Sequence, residues 1–89
     1  MRCRFEVTGR VQGVGFRAHA RAVALQHRLV GWIENRADGS VAGEAAGSEA
    51  GLRAFAAWLR TGPPFARVDR LSWSEIAETP GEITFEVRR

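Results

Sequence analysis

Apolar and polar residues alternate without a break from Arg2 to Thr8: Cys3, Phe5 and Val7 face one way, Arg4, Glu6 and Thr8 the other. A period of two over this length predicts a half-buried strand. Gly9 to Gly15 follows, with three glycines in seven residues, and reads as a loop. From Phe16 to about His27 the period lengthens. Phe16, Ala20, Val23, Ala24 and His27 share one helical face, and Arg17, Arg21 and Arg28 fall largely elsewhere. Leu29 to Asn35 reads as a second strand, Asp38-Gly39 as a hairpin turn and Ser40 to Ala46 as the return strand. Ser48 then offers an N-cap, Glu49 an acid for the first turn, and Leu52, Phe55, Ala56 and Leu59 an apolar stripe. Gly62-Pro63-Pro64 stops that helix. Val68 to about Glu75 is a fourth strand and Thr79-Pro80-Gly81 a turn. Ile83, Phe85 and Val87 alternate in a last strand, which either pairs beside the fourth or continues it.

The order β-α-β-β-α-β predicts an α+β, ferredoxin-like sandwich, an antiparallel sheet with two helices on one face. The first β-α-β crossover should be right-handed, and the strands that it joins run parallel. Their C-terminal ends then share one edge of the sheet. The glycine loop after Thr8 and the end of the second strand at Asn35 should therefore meet in space.

Eighty-nine residues, 45% apolar and 26% charged, suit one globular domain, taken as 1–89. No apolar run is long enough for a bilayer, and the alternating start is not a signal peptide. One cysteine cannot close an internal disulfide, and one Cys with two His cannot build a structural zinc site. These features predict a cytoplasmic protein without metal, cofactor or membrane partner. All thirteen basic residues are Arg against ten acids, a net charge of +3. Without Lys there is no Schiff-base chemistry and no phosphate-loop lysine. The charge is dispersed rather than striped, which argues against nucleic acid. His19 and His27 read as surface or packing residues, Cys3 as buried and inert, and Trp32, Trp58 and Trp73 as core or helix–sheet filler. Monomer is the default.

The segment Gly9-Arg10-Val11-Gln12-Gly13-Val14-Gly15-Phe16-Arg17 joins a strand to a helix start. Closely spaced glycines let successive N–H groups converge, and the helix dipole adds positive potential there. Arg17, in the first turn, can clamp an oxyanion with two donors. Arg10, inside the loop, would widen the positive field. The combination suits a phosphate, although a plain tight turn with a solvated Arg has the same spacing. The pattern is neither a phosphate-loop motif with Lys nor a dinucleotide G-x-G-x-x-G.

The string Val11-Gln12-Gly13-Val14-Gly15-Phe16-Arg17 resembles the signature of the acylphosphatase family. Gly31-Trp32-Ile33-Glu34-Asn35-Arg36-Ala37-Asp38-Gly39-Ser40-Val41 resembles its second signature, and Gly62-Pro63-Pro64, Ala66, Val68 and Phe85-Glu86-Val87 are weaker matches. The resemblance covers essentially the whole chain. It implies the same ferredoxin-like fold and hydrolysis of carboxyl–phosphate anhydrides without a metal, giving carboxylate and inorganic phosphate. Under it the catalytic residues are Arg17, which holds the phosphate, and Asn35, which positions the attacking water. The loop residues Gly9, Arg10, Val11, Gln12, Gly13, Val14 and Gly15 form the substrate's phosphate cradle. Ala20 and Arg36 stand where several family members carry Thr, so a hydroxyl near the site is missing.

Two other readings compete. Gln12-Gly13-Val14-Gly15-Phe16 faintly echoes an RNA-binding RNP1 string, but Val14 replaces a stacking aromatic and the string lies at a helix start rather than on a central strand. Acylphosphatase-like domains also resemble the N-terminal segment of a hydrogenase-maturation carbamoyltransferase. A chain ending at Arg89 favours the free-standing enzyme.

Overall fold

The structure is a computed structural model that describes residues 1–79 and 81–88. Its elements run β1 (Arg2–Arg10), α1 (Phe16–Gln26), β2 (Val30–Asn35), β3 (Val41–Ala46), α2 (Glu49–Thr61), β4 (Arg67–Ile76) and β5 (Phe85–Arg88). The sheet order is β4-β1-β3-β2-β5. β1 lies antiparallel to β3 and β4, and β2 antiparallel to β3. β1 and β2 are thus parallel, with β3 between them, as the crossover requires. Both helices cover one face of the sheet, α1 over β2 and β5, α2 over β1 and β4.

The alternation of β1 buries Cys3, Phe5 and Val7 completely or nearly so. They meet Phe16, Ala20 and Ala24 of α1 and Leu52, Phe55 and Leu59 of α2. Phe55 is the hub: its ring meets Phe5 at 5.6 Å and Phe85 at 5.6 Å, both edge to face. Burial also pushes the Cys3 thiol up, helped by the charge of Glu75, which suits an inert core cysteine. His27 does not join the buried face of α1; it closes the helix, exposed, after Gln26.

Three further expectations change. β1 continues through Gly9 and Arg10, because β4 pairs with it past a register shift at Thr8/Gly9. The loop therefore begins at Val11. β5 neither flanks nor continues β4. It pairs in parallel with β2 at the opposite edge, Gly31 opposite Phe85 and Ile33 opposite Val87. Alternation reports which residues share a face, not which strand is the neighbour; here the free edge of β2 lets Phe85 enter the core. Ile83 is 97% exposed and lies outside the strand. Trp32 is not core filler either. It stands on the helix-free face of the sheet, with the Arg88 guanidinium 4.6 Å from its ring centroid. Pro80, at the centre of the predicted turn, and Arg89 lie outside the described residues.

Candidate active site

The C-terminal ends of β1 and β2 open onto a cavity of about 210 Å³. Val11, Gly13, Gly15, Phe16, Arg17, Ala18, Asn35 and Val87 line it. Arg17 and Asn35, separated by half a crossover in the chain, thus share one cavity. A larger depression of about 300 Å³ lies on the helix-free face, between Arg4, Glu6, Arg36, Ser72 and Ser74. No residue of the glycine string lines it, whereas the smaller cavity has a helix start, a glycine turn and a guanidinium converging on it. We therefore take the smaller one as the functional site.

The local sequence explains the cradle. Gly15 is the N-cap of α1 and sits in the left-handed region at φ 76°, where a side chain costs roughly 1–2 kcal/mol. Gly13 has φ 75°, and Val14 between them does not have a positive φ. This alternation curls the chain so that neighbouring N–H groups can face one point. No side chain caps α1 and its first turn holds no acid. The leading N–H groups of a helix have no partner within it, so here they remain open to a ligand. No acidic residue lines the cavity.

Gln12 fixes the loop against the other half of the site. Its side-chain nitrogen donates to the carbonyls of Arg36, at 2.8 Å, and Ser40, at 2.9 Å. Those two residues flank the β2–β3 turn and are themselves bonded, Arg36 N–H to the Ser40 carbonyl at 2.8 Å. Asp38 braces the same turn, accepting from both the Ser40 N–H and its hydroxyl. Those bonds hold its carboxyl below the usual carboxylate range. Asn35 is the last residue of β2, half-buried and opposite Val41 in the ladder.

Arg17 is half-buried in the first turn of α1, and its Nη1 donates to the Arg88 carbonyl at 2.8 Å. One turn on, Arg21 Nε donates to the Phe85 carbonyl at 3.1 Å. α1 is therefore stitched to both ends of β5. His19 is exposed, and its Nδ1 donates to the Gly15 carbonyl at 2.8 Å.

The predicted cradle residues separate into two groups. Val11, Gly13 and Gly15 line the cavity; Gln12 braces it, and Val14 packs against the core. Gly9 and Arg10 instead belong to β1, opposite Val68 and Arg67. A Cβ on Gly9 would run into the Arg67 carbonyl oxygen. That glycine serves the close approach of β4, and Arg10 is exposed beyond the cavity lining. Ala18 and Val87 line the cavity without having been predicted to. Ala18 sits one residue past the motif arginine, a position a helical wheel could have indicated; Val87 becomes visible only once β5 is placed beside β2. Among the described residues no three His, Cys, Asp or Glu side chains are grouped to hold a metal ion. No helix is long and apolar enough to cross a membrane.

Fold and cavity together define a small ferredoxin-like α+β protein with a glycine-lined cavity at a helix start. The Acylphosphatase family model matches residues 3–87. The chain is 45% identical to the acylphosphatase of Synechococcus sp. (strain RCC307), over 98% of this chain and 74% of that one. It superposes on the crystal structure of acylphosphatase from Bacillus subtilis with a TM-score of 0.94 and 38% identity, covering 99% and 98% of the two chains. The chain belongs to the acylphosphatase family. The resemblance extends to T. kodakarensis HypF, at TM-score 0.86 and 32% identity, but there the match is only 12% of the longer chain. The small acylphosphatases are the better fit.

Proposed function

We propose that residues 1–89 work as a single domain that hydrolyses the carboxyl–phosphate anhydride of small acyl phosphates, releasing carboxylate and inorganic phosphate. The observation that carries this reading is the meeting of Arg17, Asn35 and the uncapped start of α1 around one cavity. The phosphoryl oxygens lie against the amides of the Gly13–Gly15 turn and the first turn of α1, with the Arg17 guanidinium closing the cradle. Water held by the Asn35 side chain attacks phosphorus opposite the acyl oxygen. The P–O bond to the acyl group breaks, carboxylate leaves with the electron pair, and the water's proton passes to a phosphoryl oxygen.

The chemistry asks for little else. A carboxylate is a good leaving group at neutral pH, so no strong general acid is required. Positioning and charge stabilisation supply most of the acceleration. An amide at Asn35 orients water without repelling the anionic substrate. No step calls for a metal or a cofactor, and turnover of benzoyl phosphate is expected to survive EDTA. Loss on chelation, restored by a divalent ion, would refute the metal-free mechanism. From the single cysteine and the dispersed charge we further infer a cytoplasmic protein without a nucleic-acid partner, with monomer as the default state.

Separating the two catalytic roles tests it. Asn35 acts on the nucleophile, so its contribution belongs to the transition state. Asn35→Ala should lower kcat on the order of 10²-fold, the effect of removing one well-placed donor, with the inhibition constant of inorganic phosphate little changed. Arg17→Ala should damage both. Phosphate should compete with substrate in the parent protein. If Asn35→Ala weakened phosphate binding as much as Arg17→Ala and left single-turnover chemistry intact, Asn35 would be a binding residue instead.

A further inference from the structure

Away from the cavity, Arg2 is a buried cation held between two carboxylates. Its side chain is 4% exposed, and it pairs through Nε with Glu44 at 2.8 Å and through Nη2 with Glu82 at 3.0 Å. Burial works against its charge, yet the hydrogen bonds and charges of Glu44 and Glu82 outweigh it and raise the Arg2 pKa. Glu82 is nearly as buried and uses both oxygens. Oε1 accepts from Arg2, and Oε2 accepts from Arg88 Nη2 at 3.3 Å. Burial alone would push the Glu82 carboxyl up. Hydrogen bonds from the backbone and Arg2, with the charges of Arg2 and Arg88, bring it below the usual carboxylate range instead.

From Glu82 the contacts lead directly to the site. Arg88 lies over Trp32, which fixes its side chain from the other direction. Its carbonyl accepts from Arg17 Nη1 at 2.8 Å. Polar contacts thus run from Glu44 through Arg2 and Glu82 to the Arg88 side chain, and the backbone carbonyl of the same Arg88 meets Arg17. β5 has only four residues, at an edge and in a parallel pairing, so its ladder alone holds its end weakly.

We propose that Glu82 is a positioning residue for the reaction: by holding Arg88 at the end of β5 it fixes the carbonyl that orients Arg17 toward the phosphoryl group. The proposal rests on the reading of Arg17 as the phosphate ligand. Spending one Arg17 donor on the Arg88 carbonyl sets the plane of the guanidinium and leaves its other donors for the oxyanion. The ordering of a long, flexible side chain is then complete before substrate arrives.

The test compares Arg88→Ala, Glu82→Gln and Arg17→Ala, each assayed well below its melting temperature. Inorganic phosphate serves as the binding probe, and the Arg17 guanidinium is followed by ¹⁵N NMR. Arg88→Ala removes the side chain, keeps the carbonyl and leaves the Arg2 pairs in place, so it does not depend on the fate of the buried ion pair. It and Glu82→Gln should each raise the phosphate inhibition constant roughly two- to tenfold, the scale of immobilising one rotamer-rich side chain, and broaden the Arg17 signals. Combined, the two should cost little more than either alone. Arg88→Lys should recover part of the loss. A parent-like inhibition constant in Arg88→Ala, with Arg17→Ala impaired, would overturn the positioning role. So would a Glu82→Gln protein that melts lower but binds phosphate and turns over normally. Parent-like phosphate binding in Arg17→Ala would instead overturn the reading of the site itself.

Discussion

The two helices begin in opposite ways. α2 starts at Ser48, an extended residue whose hydroxyl accepts from the Gly51 N–H at 3.0 Å, and Glu49 follows in the first turn. α1 starts at Gly15, left-handed, with no side-chain cap and no acid, and carries Arg17 in its first turn. Glycine in place of a side-chain cap costs roughly a few tenths of a kcal/mol, and a cation at the positive end of a helix about 0.3–1 kcal/mol more. Both helices pack on the same core, so the fold does not demand the difference. α2 satisfies one of its leading N–H groups, that of Gly51, from within the chain. α1 leaves its leading N–H groups open beside a guanidinium, an arrangement that is unfavourable alone and favourable once an anion occupies it.

The largest effect expected from this contrast is at Arg17. Lys would keep the charge at the α1 start but lose the planar fork. Arg17→Lys should therefore lose on the order of 10²-fold or more in kcat/KM, with the domain still folded by circular dichroism. Near-native kinetics would show that charge alone suffices and that α1 differs from α2 only in its cap.

A smaller effect should follow from making α1 resemble α2. Ala18 is exposed, lines the cavity and stands third in the helix, where an acid favours the dipole. Ala18→Asp should stabilise the ligand-free protein by about 0.3–1 kcal/mol while placing a like charge beside the incoming phosphoryl group. The loss in kcat/KM should be roughly tenfold, about 1.4 kcal/mol of screened repulsion. Inorganic phosphate, which should raise the parent's melting temperature by binding the folded state, should raise that of the variant much less. A variant both more stable and fully active would place the phosphate elsewhere.

Much of this was legible in the sequence, for local reasons. Alternation reveals a strand that buries one face, as β1 does; β3, buried on both faces, was legible only as the return strand after Asp38-Gly39. Ser48, Gly62 and Asp38-Gly39 announce their turns by chemistry that acts over three or four residues. Asn35 and Arg17 could be placed together because a β-α-β crossover joins parallel strands, whose C-terminal ends share one edge. What stayed hidden depended on partners. The alternation of Ile83, Phe85 and Val87 carries no information about which edge receives the strand, so Val87 in the cavity and the Arg88–Arg17 contact were out of reach. Gly9 and Arg10 looked like loop because glycine marks both turns and close strand approach; only the length of β4 decides between them. Trp32 alternates as a strand residue should, but which face is helix-free is a property of the whole sheet.

The smallest effect tests the other side of the contrast. Ser48 bonds one N–H of α2, and the start of α2 contributes no residue to the cavity. Ser48→Ala should cost about 1 kcal/mol. For a domain of this size that is a fall of roughly 4–8 °C in Tm, with kcat, KM and phosphate inhibition unchanged when measured well below melting. The converse holds at α1, where no side-chain cap exists to lose and changes at the first turn should appear in kinetics first. The comparison fails if Ser48→Ala altered phosphate inhibition as strongly as Ala18→Asp. The two helix starts would then be coupled through the core, and the open amides of α1 would reflect packing rather than a place kept for an anion.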